Sequence, residues 1–411
     1  MQENENTKWK RNAGFFIAGQ FVSMFGSMLV SHAVTWHVTL EEKSGLLIAL
    51  FTCAIMLPMV FISPFAGVWA DRYNRKHLIN ISDAAIAIVT LVTAVVYSLG
   101  MRSILLLIGV MMVRSIGQGI QQPSVNALIP QIVPPEHLMR FNGIQSAAQS
   151  VTMFASPMAA GALLFYFPIQ YIFFVDVITA IVGISTVFFC VKVTHTPKPK
   201  EEGAGAKAYY REMAEGVRFI KNEAWLKTLF VASAVFMVLA APSAMMTPLQ
   251  VARSFGSDVW RLPSIEIAFS SGMMLGGIVI AAWGGFKNKT HTMILAWVFF
   301  GLTTLLFGVT TNFWLYLAVM ILCGTAMPFY NTPAMSLMQT KIPPELMGRV
   351  FSVLSMISSV AMPLGAMLFG PLADAVKIEI LLIITGVLLL AGAFVFSTRK
   401  EMIEVGKAPE A

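Results

Sequence analysis

Twelve apolar runs, each long enough to cross a bilayer, constrain this chain more than any other feature of its sequence. A helix needs roughly 20 apolar residues to span the hydrocarbon layer. The runs fall at 13–39, 45–70, 77–98, 103–123, 136–166 and 168–191, then at 223–250, 262–285, 290–310, 313–334, 344–374 and 376–397. Backbone groups at membrane depth must pair internally, so these segments are helices; they are too long and too uniformly apolar for barrel strands. Composition points the same way, with 57% hydrophobic and 12% charged residues, against about 25% charged in soluble domains. That excludes a soluble enzyme, a nucleic-acid binder and a disulfide-stapled secreted domain. Cys53, Cys190 and Cys323 lie far apart and offer neither a disulfide frame nor metal-ligand spacing. The first run is too long for a signal peptide and lacks a small-residue cleavage pattern, so it is expected to stay as a span. The fold class is an all-α polytopic membrane protein with about 12 transmembrane helices.

Charge sets the topology. With the N-terminus inside, 22 of the 28 Lys and Arg residues fall in cytoplasmic segments, while Lys43, Arg102, Arg253, Arg261 and Lys377 fall outside and Arg114 lies within a span. The positive-inside rule then places both termini in the cytoplasm. The net charge of +7 thus reports orientation rather than a nucleic-acid partner.

One segment repeats. Pro134-Pro135-Glu136-His137-Leu138-Met139-Arg140 returns 209 residues later as Pro343-Pro344-Glu345-Leu346-Met347-Gly348-Arg349. Pro123 and Pro333 precede the two copies near the ends of spans 4 and 10, and Pro157 and Pro363 follow inside the next spans. A parallel duplication of six spans predicts such a spacing. The expected organisation is a six-helix bundle over 1–191, a cytoplasmic linker over 192–222, a second six-helix bundle over 223–398 and a cytoplasmic tail over 399–411. Within the linker, Tyr209, Met213, Val217 and Ile220 stand at helical spacing among charges, which fits either a helix on the membrane surface or a solvated tether.

Between spans 2 and 3 stands Gly67-Val68-Trp69-Ala70-Asp71-Arg72-Tyr73-Asn74-Arg75-Lys76. This segment resembles the loop signature of the major facilitator superfamily, with Asn74 in place of the usual glycine; Asn tolerates a left-handed turn. The resemblance implies two pseudo-symmetric six-helix bundles around a central cavity, the major facilitator fold. It also implies a conformational latch in which Asp71 acts with Gly67, supported by Arg72, Arg75 and Lys76. An acid among cations at a helix end has the chemistry for that, since it can cap a helix or hold basic groups; positive-inside topology alone explains the three cations but not Asp71. The matching loop of the second half, Trp283 to Lys289, keeps glycine and lysine without the acid.

Ionisable residues at membrane depth are costly and mark a pathway. Asp83, Arg114, Asp176 and Glu266 qualify, with Asp374 at the outer end of span 11. A buried arginine keeps its charge and needs a partner, whereas a buried carboxyl exchanges a proton more readily near neutrality. Proton coupling is therefore assigned to Arg114 with Asp83 or Asp176 in the first half and to Glu266 in the second, against the alternative of a fixed pair that only orients helices. The segment around Arg114 resembles the fourth-span arginine signature of proton antiporters. His32 and His37 are read as interfacial partners of Trp36 rather than proton carriers.

Polar stripes recur every three or four residues, at Gln20, Ser23, Ser27 and Ser31 in span 1 and at Asn142, Gln145, Gln149, Thr152 and Ser156 in span 5. Such a face lines either a cavity or a close helix contact. The substrate-cavity candidates are Gln20, Ser23, Ser27, Gln145 and Gln149, together with Met245 and Met246 beside Pro242 and Pro248, where thioethers suit a varied lipophilic ligand.

Arg114-Ser115-Ile116-Gly117, Pro123-Ser124-Val125-Asn126-Ala127, Glu266-Ile267-Ala268-Phe269-Ser270-Ser271-Gly272, Met327-Pro328-Phe329-Tyr330 and Gly348-Arg349-Val350-Phe351-Ser352 resemble the macrolide-efflux (Mef-type) proteins of the drug/proton antiporter branch. The resemblance implies a monomeric secondary exporter in the bacterial inner membrane, moving a small lipophilic substrate such as a macrolide outward in exchange for protons. No metal, cofactor or nucleic acid enters this reading, and no nucleotide-binding loop is present. An exporter or flippase for a siderophore, lipid or metabolite is one alternative; a transport-inactive receptor or scaffold is another.

Overall fold

The computed structural model describes residues 2–193 and 206–407, with side chains for 9–70, 72–193, 214–343 and 345–407. Residues 194–205 of the expected linker and 408–411 of the expected tail lie outside the described residues. Among those described, twelve helices are long and apolar enough to cross a membrane, and no strand occurs. The first six are α1 (Gln2–Glu42), α2 (Gly45–Arg72), α3 (Arg75–Ser98), α4 (Ile104–Ile132), α5 (Leu138–Tyr166) and α6 (Ile169–Ser185). A linker helix α7 (Ala206–Asn222) follows, then α8 (Ala224–Met245) and the short α9 (Thr247–Gln250). The last spans are α10 (Arg261–Trp283), α11 (Lys289–Val309), α12 (Phe313–Lys341), α13 (Pro344–Ala375) and α14 (Ile378–Ser397), before the short α15 (Lys400–Val405).

Helix ends follow local chemistry. Asn74, Ser103, Asn288 and Asn312 each accept backbone N–H groups at the start of α3, α4, α11 and α12, satisfying donors that have no partner inside the helix. Gly284, at φ 75°, ends α10 in the left-handed conformation that glycine adopts without strain.

Expected and observed spans agree to within a few residues except at the start of α1, which begins at Gln2 rather than 13, and at the prolines. Spans 4 and 10 were expected to stop near Pro123 and Pro333, yet α4 runs through Pro123 and Pro130 to Ile132, and α12 runs through Pro328 and Pro333 to Lys341. A proline removes one helical hydrogen bond, but breaking the helix at membrane depth would strand several more groups, so the helix continues. In α2, beside Pro58, Ser115 of α4 completes the ladder: its hydroxyl donates to Ile55 O and accepts from Met59 N at 3.0 Å.

The chain forms two compact units, Met1–Val38 with Cys53–Tyr209, and Thr39–Thr52 with Tyr210–Ala411. In the first, α3 packs on α4 and α6, and α1 meets α6 where a Cβ on Gly183 would stand 2.8 Å from Gly19 O. In the second, α10 packs on α12, α11 on α14 and α8 on α13. A Cβ on Gly324 would overlap Phe269 O, and one on Gly272 would overlap Ile321 O. Small residues thus bring α10 and α12 to backbone contact, the mode by which spans associate without a hydrophobic drive. Large apolar side chains face outward, Leu105 at 80% exposure and Phe61 and Phe394 at 72%, as lipid-facing positions do.

The linker segment contains the helix α7. Ile220 is buried, and Glu215 holds Arg349, the arginine of the second repeat copy, at 2.7 Å; the side chains of Tyr209 and Met213 lie outside the described residues. The tail segment α15 folds back on the second unit. Asn288 donates to Ile403 O at 2.8 Å, Thr290 to Met402 O at 2.6 Å, and the Lys289 N–H to Gly406 O at 2.9 Å. Thr228 donates to Glu401 at 3.0 Å; the backbone N–H of Glu401 and this hydroxyl hold its carboxyl below the usual carboxylate range.

Candidate functional site

In the first unit α1, α3, α4 and α5 enclose a cavity of about 450 Å³. Gln20, Ser23, Ser27, Gln145 and Gln149, all on the polar stripes, line it together with Asp83. Further along the stripe of α5, Thr152 and Ser156 are fully buried and donate to Ala148 O and Phe25 O. The stripes therefore serve both purposes, cavity lining in one stretch and helix packing in the next.

Beside the cavity lies a buried ionic group. Arg114 is 2% exposed and Asp176 is fully buried, and their side chains form a salt bridge. The guanidinium also donates to the Thr90 hydroxyl and, at 3.1 Å, to Ser27 O, while Ser27 Oγ donates to the other oxygen of Asp176 at 3.2 Å. Gly26 makes the approach possible, since a Cβ there would overlap Thr179 Oγ1 and come within 3.3 Å of the Asp176 carboxylate. Such a pair holds only where additional hydrogen bonds offset the loss of hydration. Of the two acids weighed for Arg114, the structure brings Asp176 to it. Asp83, 4% exposed, instead accepts from the Gln121 amide at 2.6 Å, and the same amide lies 3.4 Å from Gln20 Oε1. Thr90 and Gln121 were missed by sequence reasoning; the only signal was a glutamine pair interrupting the apolar run before Pro123.

The remaining candidates are scattered. Glu266 lies on α10, half-buried, without a hydrogen bond or ion pair among the described residues. Met246 is fully buried at the break between α8 and α9, and Met245 accepts a hydrogen bond from Thr52 at 3.4 Å. Neither lines the first-unit cavity, since both belong to the second unit. Asp374 is a helix cap rather than an isolated charge: in the second unit its carboxylate accepts from Gly45 N at 2.7 Å, Leu46 N at 2.9 Å and Ser44 Oγ at 2.9 Å. Arg253 pairs with it at 2.7 Å and also reaches Lys43 O. A carboxylate at the N-terminus of α2 is where the helix dipole favours it. His32 packs against Trp36, ring centroids 5.4 Å apart.

The signature loop has its own geometry. Asp71 is the penultimate residue of α2, and its side chain lies outside the described residues. Arg75 donates to Ala70 O at 2.8 Å and Ala127 O at 2.7 Å, and Lys76 donates to Phe188 O and Val191 O, both at 2.7 Å. Both cations thus cap carbonyls near helix C-termini of their own unit, where positive charge is favoured. Arg72 is exposed. At Gly67 a Cβ would meet no atom within 4 Å. In the second unit Lys289, also the first residue after an asparagine cap, donates to Ser336 Oγ at 2.8 Å.

Twelve spans, a duplicated segment and a polar cavity flanked by a buried ion pair define a membrane transporter fold, and the family profile described as Major Facilitator Superfamily matches residues 14–366: the chain belongs to that superfamily. It is 27% identical over 390 residues to "Macrolide efflux protein A" of Streptococcus pyogenes, covering 94% of this chain and 95% of that protein. It is 28% identical over 312 residues to the protein of the same name from Enterococcus faecalis, covering 75% and 95%. Among solved structures, a bacterial homologue of the iron transporter ferroportin superposes with a TM-score of 0.71 at 15% identity, over 95% of this chain and 99% of that one, a likeness of fold.

Proposed function

We propose that the protein is a secondary active exporter that moves lipophilic drugs such as macrolides out of the cell by proton antiport with alternating access. The observation that carries this reading is the buried Arg114–Asp176 pair and the Gln121-bound Asp83 beside the cavity of the first unit. Charge is kept at membrane depth only where function requires it. In this reading Asp83 is the first proton site, Arg114 and Asp176 set the field around it, and Glu266, which has no partner among the described residues, is the acid of the second half. Gln20, Ser23, Ser27, Gln145 and Gln149 face the substrate. The loop containing Gly67, Asp71, Arg72, Arg75 and Lys76 is the latch: Arg75 and Lys76 fasten it to helix ends of the first unit, leaving Asp71 and the open face at Gly67 to meet a moving partner. The exporter acts as a monomer in the bacterial inner membrane, with both termini cytoplasmic.

The test is accumulation of labelled macrolide in an efflux-deficient bacterium expressing the protein or Asp71→Asn, with and without collapse of the proton gradient. Lower accumulation that needs both the gradient and Asp71 supports the proposal. Unchanged accumulation, with the protein present in the membrane, overturns macrolide export.

A further inference from the structure

Helix α2 is shared. Thr39–Thr52 packs within the second unit and Cys53 onward within the first, yet the helix runs through from Gly45 to Arg72. The contacts that hold its start to the second unit are ionic and partly wet. The Asp374 carboxylate caps the helix, taking the Gly45 and Leu46 N–H groups and the Ser44 hydroxyl. Arg253 binds that carboxylate and two carbonyls, Lys43 O and Ala373 O; the pair is 30% and 33% exposed. An ion pair this exposed exchanges readily for water, unlike the dry Arg114–Asp176 pair. Lys43 is the one non-glycine residue at positive φ among those described, at 48°. Such strain persists only where neighbours impose it, and it gathers at switch regions. Packing under the cap is tight: a Cβ on Gly45 would overlap Gly370 O, and one on Gly370 would stand 2.6 Å from Ala49 Cβ. Just past the boundary between the units the helix has a joint, where the Ser115 hydroxyl stands between Ile55 O and the Met59 N–H beside Pro58. A side chain inserted into the helical ladder marks a place where a helix bends. None of these residues lines the first-unit cavity.

We propose that the start of α2, Gly45 to Thr52, is a detachable clasp: Asp374 and Arg253 fasten it to the second unit in this state, and the fastening releases, with α2 bending at the Ser115 joint, when the protein opens at that end. This rests on the alternating-access part of the reading above and on no particular cargo or coupling ion. Release is reversible because its cost is offset. Water replaces Asp374 at the freed Gly45 and Leu46 N–H groups, and Lys43 leaves its strained conformation. The helix dipole draws the carboxylate back to the same N-terminus when the clasp closes.

The test reads the clasp by thiol accessibility. Thr52→Cys, a near-isosteric change at a buried position, is made in the whole chain together with Cys53→Ala and Cys190→Ala. The purified protein in lipid nanodiscs is treated with a charged, membrane-impermeant maleimide, and labelling is read by peptide mass spectrometry. Cys323, buried in the same unit, reports any general loosening. Asp374→Asn and Arg253→Gln are each expected to raise the labelling rate at position 52 about tenfold, the weight of one hydrogen bond to a charged group, with Cys323 unlabelled. Ser254→Ala, which removes a neighbouring bond to Glu379 but nothing that touches α2, is expected to leave the rate unchanged. Unchanged labelling at position 52 in Asp374→Asn overturns the proposal even where macrolide export is intact. So does labelling that rises equally at Cys323, which is loosening of the whole unit. Faster labelling confined to position 52 upholds the clasp even where macrolide export fails.

Discussion

The two units share a topology and differ in what they bury. The first encloses charge: Arg114 against Asp176, and Asp83 against Gln121, around a cavity. The second fills its centre with rings. Phe236 lies 5.2 Å from Trp297, 5.1 Å from Phe300 and 5.3 Å from Tyr330, and Trp297 stacks on Phe396 at 5.8 Å. Among its buried polar groups, Ser233 meets Tyr330 at 2.6 Å, and Gln250 meets both Tyr316 and Phe307 O. The helix order recurs in the two units, while one interior carries charge and the other aromatic rings. Glu266 is the exception, a lone carboxyl on the aromatic side.

The sharpest break in this comparison is functional. Asp83→Asn is expected to abolish gradient-dependent efflux while leaving the melting temperature near wild type, and Glu266→Gln is expected to reduce efflux only in part. If transport assays show equal losses, the working charge is shared between the units. Next in size is stability. Arg114→Met alone leaves Asp176 buried and unpaired, with an expected cost of about 3–5 kcal/mol, and the double substitution with Asp176→Leu recovers most of it; denaturation of the purified variants measures both. In the second unit, Gly324→Ala drives a methyl group into Phe269 O and is expected to cost about 1–3 kcal/mol. Gly67→Ala, with open space around it, is expected to leave melting unchanged, so any loss of transport there reports a contact made during the cycle. The smallest effect is expected from Tyr330→Phe, about 1 kcal/mol, because Ser233 keeps its bond to Leu229 O.

Much of this was legible in the sequence. The apolar runs place all twelve spans because solvation by lipid acts on each segment locally, and the Pro-Pro-Glu repeat exposes the duplication. Pairing was less accessible. Asp83 and Asp176 were equivalent candidates for Arg114, since the choice depends on how α3 packs between α4 and α6 and on Gly26 admitting α1. Thr90 carries no charge and stands on no stripe, so nothing local distinguishes it from ordinary span residues, and Gln121 is marked only by the glutamine pair before Pro123. The prolines misled for the same reason. Whether Pro123 ends a helix depends on the medium around it and on neighbours such as Ser115, which mends α2 from another helix. Arg75 and Lys76 were read as topology signals or latch parts, and their capping of distant carbonyls appears only once the helices are assembled.

The fold-back of α15 has a consequence for the order in which the protein is made. The turn between α10 and α11 gains its bonds to Met402, Ile403 and Gly406 only after those residues have been synthesised, more than a hundred positions later. The corresponding turn of the first unit is fastened by Ala127, Phe188 and Val191, all translated before the linker helix α7. Assembly is therefore staggered: the charged half closes on itself early, and the aromatic half stays open at this turn until its last short helix emerges from the ribosome.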